Sequence, residues 1–166
     1  MVFVYDHTNA PPWFSQAQVF AAIATAATAW AQCGVPTRMS NGPPQPNSVR
    51  IQWGEQSSRG NFGLANMGER TLSLGPAAFQ LLRTRNPKHD AQETLQMVIA
   101  HEMGHLYGLM AHSRRCVDVT SYYDNGKGES CSTRAPLEQR SVPEYRSTLP
   151  TACDIQRCKQ ANGFLK

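Results

Sequence analysis

Two hydrophobic periodicities predict the regular elements of the chain. Residues 2–6, VFVYD, alternate as a strand does, and the alanine-rich stretch after Ser15 has apolar residues at spacings of three and four, as a helix does. Ser15 offers this helix an N-cap, and we expect the helix to continue to about Cys33. Residues 49–53, VRIQW, and residues 70–75, RTLSLG, predict two further strands.

Turn-forming residues separate these elements. Residues 41–48, NGPPQPNS, and the turn-rich residues 54–69 are expected to be loops, because glycine and proline interrupt regular structure. Pro76 opens a short helix, which Asn86 and Pro87 end.

Two more helices are predicted in the second half. Asp90 is followed three residues later by a glutamate, which is the spacing of a capping box, so a helix is expected from Asp90 to Gly108. The sequence is then irregular until residues 151–163, where Thr151 caps a final helix and Gly163 ends it.

The length and composition fit one soluble domain spanning residues 1–166. A chain of 166 residues can bury one core but is short for two. The formal net charge of +4 is spread along the chain without a block of like charges, so a nucleic-acid partner is not expected. No apolar run approaches the ~20 residues of a membrane span.

The cysteines favour an oxidising compartment. Disulfides would hold the polar last third of the chain, which has little apolar sequence of its own; reduced thiols are the alternative. An odd number leaves at least one sulfur unpaired in a monomer. We expect a secreted or exported protein whose signal was removed or preceded this piece. The five positions are Cys33, Cys116, Cys131, Cys153 and Cys158.

The stretch HEMGHLYGLMAH at residues 101–112 suggests a metal site. His101 and His105 are four residues apart, so a helix presents them on one face about 5.4 Å from each other. Imidazole suits zinc, and a catalytic zinc site needs three protein ligands, leaving one position for water. Glu102 can take a proton from that water and pass it to a leaving amine. The alternative is a chance pair of surface histidines, and the apolar flank and helical context argue against it.

These residues resemble the motif of the metzincin zinc endopeptidases, and the chain is most similar to their small matrixin-like and serralysin-like catalytic domains. The family pattern is matched by His101, Glu102, His105 and Gly108. The resemblance implies an α+β fold with a small twisted mixed β-sheet, a long N-terminal helix and an active-site helix. It also implies an upper subdomain of residues 1–108 and an irregular lower subdomain of residues 109–166 that ends in a C-terminal helix.

The third ligand departs from the family pattern by one residue. The family places its third histidine three residues after the glycine, whereas LeuMetAla separates Gly108 from His112 here. A loop can absorb one extra residue, so His112 is the preferred third zinc ligand. Asp118 or Glu129 remains as an alternative, since carboxylate oxygens also bind zinc.

Two further positions are read from the resemblance. Thr120 stands where the family carries the methionine that lies beneath the metal, and Tyr122 follows two residues later. The resemblance implies that the Tyr122 hydroxyl stabilises the oxyanion of an attacked carbonyl. The alternative is an aromatic side chain that covers the lower core. Cys33 begins a CysGlyValPro stretch similar to the activation segment of matrixin proenzymes, but its place after the first helix favours a disulfide or a buried thiol.

The resemblance implies a zinc-dependent endopeptidase that acts on polypeptides. Substrate would lie along the sheet edge formed near residues 63–66 and 70–74, because an unpaired strand can pair with a peptide backbone. Three alternatives stay open: a zinc hydrolase of non-protein amides such as cell-wall peptides, an inactive zinc-stabilised binding module, and one part of a larger secreted machine. A monomer is expected, and a protein inhibitor or propeptide is left open as a further partner.

Overall fold

The computed structural model describes residues 1–121 and 146–165. The strands are β1 (Val2–Tyr5), β2 (Arg38–Ser40), β3 (Val49–Trp53), β4 (Gly63–Asn66) and β5 (Thr71–Leu74). The helices are α1 (Gln16–Ala31), α2 (Glu55–Ser58), α3 (Pro76–Arg85), α4 (Ala91–Leu106) and α5 (Ala152–Ala161).

The five strands form one mixed sheet in the order β2-β1-β3-β5-β4. The first three pairings along this order are parallel, and β4 runs antiparallel to β5. The strand β4 therefore forms one edge of the sheet, and its antiparallel direction sets it apart from the other four.

Helices α1 and α4 pack against each other beside the sheet, since α1 also contacts β2, and α4 contacts both β4 and β5. Trp30 on α1 is fully buried, and its Nε1–H donates to the carbonyl of Ala100 on α4 at 2.9 Å. Gly104 on α4 gives the Trp30 ring room, because a Cβ there would lie 3.0 Å from the ring. Gln96 on α4 donates in turn to the carbonyl of Ala22 on α1 at 3.0 Å, so apolar burial and these two hydrogen bonds hold α4 against α1.

The helix caps show why these segments fold locally. Ser15 and Gln18 form a capping box at the start of α1, as do Thr151 and Asp154 at the start of α5. At α4, the Asp90 side chain accepts from the N–H of Gln92, so this cap uses the second helical residue and not the glutamate predicted to complete a box. The helices predicted at these three places are confirmed.

Three short elements were not predicted from the sequence. Strand β4 lies inside residues 54–69, which were predicted to be loop, and that prediction is wrong for Gly63–Asn66. Strand β2 and the four-residue helix α2 were not predicted either. Segments of three or four residues carry little periodicity. The conformation of the two strands depends in addition on the neighbouring strand with which each pairs.

A disulfide joins the end of α1 to α5. Cys33 and Cys158 are both fully buried, are 125 residues apart in the chain, and have their Cα atoms 5.6 Å apart. Cys116 is disulfide-bonded as well, and Cys153 carries a free thiol. Of the two expectations for Cys33, a disulfide or a buried thiol, the disulfide is the one observed.

Within residues 1–121 and 146–165, no helix combines the length and the apolar character needed to cross a membrane.

Candidate metal centre

Three histidines converge at the C-terminal end of α4. His101 and His105 project from the helix, and His112 follows a turn beyond it. One ligand atom from each of the three residues lies within 4.8 Å of the others, and the ring centroids are 4.9–5.2 Å apart. One cation can therefore lie within reach of all three imidazoles.

Gly108 supplies the turn that returns the chain to the helix. Its φ of +96° lies in the left-handed region, which favours glycine. The N–H of Leu109 donates to the carbonyl of Gly104 at 3.0 Å, closing the turn. The turn brings His112 beside the other two rings.

Backbone carbonyls fix the tautomers of two of the rings. Nδ1 of His101 lies 2.7 Å from the carbonyl oxygen of Val119, and Nδ1 of His105 lies 2.8 Å from that of Leu109. A carbonyl only accepts hydrogen bonds, so each Nδ1 carries the proton. Each Nε2 then has the lone pair that a metal ion needs, which is the usual arrangement of metal-binding histidines.

The surroundings keep two of these imidazoles neutral. Burial lowers the pKa of His101 to about 3, and the positive charge of Arg146 acts in the same direction. Burial also lowers the pKa of His112 to about 4, with contributions from His105, Arg146 and Arg157. Neutral imidazole is the form that binds a metal, so neither residue needs to lose a proton at neutral pH.

Glu102 lies beside the histidines and contacts the edge strand. Its Oε2 accepts from the N–H of Ala65 on β4 at 2.8 Å, which orients the carboxyl group. Burial raises the pKa of Glu102 above its ordinary value, while the electrostatic interaction with His105 and the hydrogen bond from Ala65 oppose this rise. Gly63 allows the close approach of β4, because a Cβ at this position would lie 2.8 Å from Cγ of Glu102 and 2.6 Å from Val98.

Thr120 lies beneath α4. Its Cγ2 would be 2.6 Å from a Cβ at Gly104, and its hydroxyl donates to Oδ1 of Asp154 at 2.5 Å. The preceding residue, Val119, donates its N–H to Oδ2 of Asp154 at 2.9 Å. Because the Val119 carbonyl accepts from His101, helix α5 supports the segment that orients this histidine.

Asp118 lies outside the three-histidine cluster. It is fully buried, and its two carboxylate oxygens accept from the hydroxyls of Ser113 at 2.5 Å and Thr151 at 2.6 Å. These contacts link the segment after His112 to the start of α5. Tyr122 and Glu129, the other two candidates from the sequence, lie outside the described residues.

The histidines and Glu102 open onto a cleft of about 500 Å³. Its walls include Leu64 and Met67 from the edge-strand region, Met110 after α4, and Arg146. Arg146 Nη1 is 3.5 Å from Nδ1 of His101. Arg146 could not be recognised as a site residue from the sequence, because nothing in its spacing connects it with the motif.

The comparisons with known proteins give structural similarity without sequence similarity. No protein-family model matches the sequence, and no curated protein matches it. A chain of the GM1-bound form of the ECX AB5 holotoxin aligns with 96% of this chain and 78% of its own length, with a TM-score of 0.55 and 10% identity. A zinc-dependent peptidase from Methanocorpusculum labreanum (strain Z) aligns over 72% of this chain and 86% of its own, with a TM-score of 0.43 and 11% identity. The similarity to the holotoxin chain concerns the fold alone, and the TM-score of the peptidase alignment is too low to support an argument.

Proposed function

We propose that the protein is a zinc-dependent endopeptidase of the metzincin type that acts outside the cell or after export. The observation that carries this proposal is the convergence of three imidazoles beside Glu102 in an open cleft, with Nε2 of His101 and His105 left as the metal-binding atoms. Three nitrogen donors fit zinc and leave one coordination position for the reaction. The buried disulfide is compatible with export.

The residues of the chain divide the chemistry among them. His101, His105 and His112 would hold the ion, which when bound polarises a carbonyl group and lowers the pKa of water. Glu102 would accept the proton of the attacking water and deliver it to the leaving amine. Its hydrogen bond from Ala65 fixes one carboxyl oxygen, and its raised pKa suits a group that takes up and releases a proton.

The edge strand supports a polypeptide substrate. The N–H of Ala65 donates to Glu102 and therefore points away from β5. Because the direction of backbone groups alternates along a strand, the N–H and carbonyl of Gly63 point away from β5 as well. Both residues line the cleft. An extended peptide pairing with this edge would pass directly in front of the three histidines.

Tyr122 remains our proposed oxyanion-stabilising residue, on the strength of the family resemblance. Such a hydroxyl acts mainly in the transition state, so Tyr122→Phe should lower kcat far more than it raises KM. Unchanged kcat in the phenylalanine variant would remove Tyr122 from this role.

A cleavage profile on a diverse peptide library tests the proposed activity. The zinc-loaded protein should cut internal peptide bonds, a chelator should stop the cutting, and added zinc should restore it. The residues flanking the cuts would define the substrate preference. Cuts confined to cell-wall peptides would favour the non-protein amide alternative, and zinc binding without any cleavage would favour a binding module.

A further inference from the structure

Arg157 on α5 reaches two separate backbone segments with one guanidinium group. Its Nη1–H donates to Oγ1 of Thr120 at 2.9 Å, and its Nη2–H donates to the carbonyl of Ala111. The planar, forked guanidinium can make both bonds at once in a fixed geometry, which a lysine ammonium does not reproduce.

Both segments adjoin the metal centre. Ala111 directly precedes His112, and Thr120 directly follows Val119, whose carbonyl accepts from Nδ1 of His101. Arg157 thus connects the backbone beside the third histidine to the backbone that orients the first.

Asp154 holds the other side of this arrangement. Its Oδ1 accepts from the Thr120 hydroxyl at 2.5 Å and lies 3.9 Å from Nη1 of Arg157. Asp154 is fully buried, whereas the Arg157 side chain is 26% exposed. The Thr120 hydroxyl therefore donates to the carboxylate and accepts from the guanidinium, so the three groups restrain one another.

We propose that Arg157 is a positioning residue for the metal centre: by holding Ala111 and Thr120 together, it sets the separation of His112 from His101. This inference rests on the proposed zinc site. It assigns a role to α5, which contributes no ligand, and it explains how the longer loop between Gly108 and His112 is held in place.

Charge and geometry predict opposite results when Arg157 is removed. A guanidinium near the site repels a bound cation, so loss of the charge alone would tighten zinc binding. Loss of the two hydrogen bonds would free the segment that carries His112 and weaken zinc binding, as the loss of supporting contacts does at other metal sites.

The test is the dissociation constant for zinc, measured by competition with a chromogenic chelator. We expect Arg157→Met to weaken binding about 10–100-fold. Arg157→Lys, which keeps the charge and can reach one acceptor, should weaken it by a smaller factor. Lys159→Met makes the same kind of change two residues away on α5, and it should leave the constant unchanged.

Two companion measurements separate positioning from general stability. Thermal unfolding of each metal-free variant shows whether it is folded, and the visible spectrum of the cobalt-loaded protein reports coordination geometry. The spectrum should change in Arg157→Met but not in Lys159→Met.

Unchanged or tighter zinc binding by a folded Arg157→Met variant would overturn the proposal while leaving the proposed function intact. If that variant does not fold, Arg157→Lys decides: wild-type affinity and spectrum would overturn the proposal. Failure of the wild type to bind zinc would overturn the proposed function and this inference with it.

Discussion

A histidine ring binds a cation through one nitrogen only when the other nitrogen carries the proton. In His101 and His105 that proton is directed at a backbone carbonyl, so the tautomer is set by main-chain atoms. A change of nearby side chains can therefore alter the position of a ring more readily than it alters which ring nitrogen is available to a metal ion. At the residue scale, these two hydrogen bonds therefore decide which nitrogen of each ring is left for a cation.

Replacing His112 tests the third ligand at this scale. His112→Ala should weaken zinc binding by at least about 100-fold, because direct ligands contribute more than their supporting contacts.

Asp118→Asn is the matched control, since Asp118 bonds to Ser113 and Thr151 and lies outside the cluster. It should lower the free energy of unfolding by about 1–3 kcal/mol with a much smaller effect on zinc affinity. Calorimetric zinc titration and urea unfolding of both variants check this, and the reverse ranking of zinc affinities would favour Asp118 as the ligand.

At the scale of elements, the position of α4 depends on one close contact. The helix crosses both Trp30 and Thr120 at Gly104, where any larger residue would collide with them. The same helix carries His101 and His105. The packing of α4 and the geometry of the candidate metal centre are therefore coupled through the lower side of this helix.

Gly104→Ala tests that packing. On an exposed helix this change would stabilise the protein by up to about 1 kcal/mol. Here we expect it to lower the free energy of unfolding by about 1–3 kcal/mol, because the new Cβ would lie 2.6 Å from Cγ2 of Thr120 and 3.0 Å from the Trp30 ring. Adding Thr120→Ser removes the methyl group, keeps the hydroxyl, and should restore part of the loss. A stabilised Gly104→Ala protein in denaturant titrations would show that this contact is looser than described.

At the scale of the whole molecule, α5 is joined to several distant parts of the fold. The disulfide attaches it to the end of α1, Asp154 binds the segment beneath α4, and Arg157 binds the loop that precedes His112. The C-terminal helix thus links the first helix of the chain with the candidate metal centre.

Removing the disulfide tests the contribution of this link. Cys33→Ala combined with Cys158→Ala should lower the free energy of unfolding by about 2–5 kcal/mol, because the bond restricts a long loop in the unfolded chain. Cys153→Ala is the control, and it should change stability by less than about 1 kcal/mol, since this thiol is free and only partly buried. Chemical denaturation measures both, and equal stability of the double variant and the control would contradict the account.

Local signals explain which parts of this structure could be predicted from sequence. Helices α1, α4 and α5 have capping residues and recurring apolar positions, and the spacing of His101, Glu102 and His105 places their side chains together on any helix. Strand β4 could not be predicted because Gly63–Asn66 contains no β-branched residue, unlike the predicted strands, and its strand conformation depends on its pairing with β5. Arg157 and Asp154 could not be found because their contacts join segments more than 30 residues apart.

The most direct test of the central claim compares wild type with Glu102→Gln, both loaded with one equivalent of zinc, on an internally quenched peptide taken from the library. Glutamine has nearly the same shape, so it can still accept from Ala65 and should leave zinc content unchanged, but it cannot act as a base. We predict a loss of about 100- to 10,000-fold in kcat/KM with little change in zinc affinity. Equal activity of the two proteins at equal zinc content would contradict the account, because Glu102 would then have no part in the chemistry of the site.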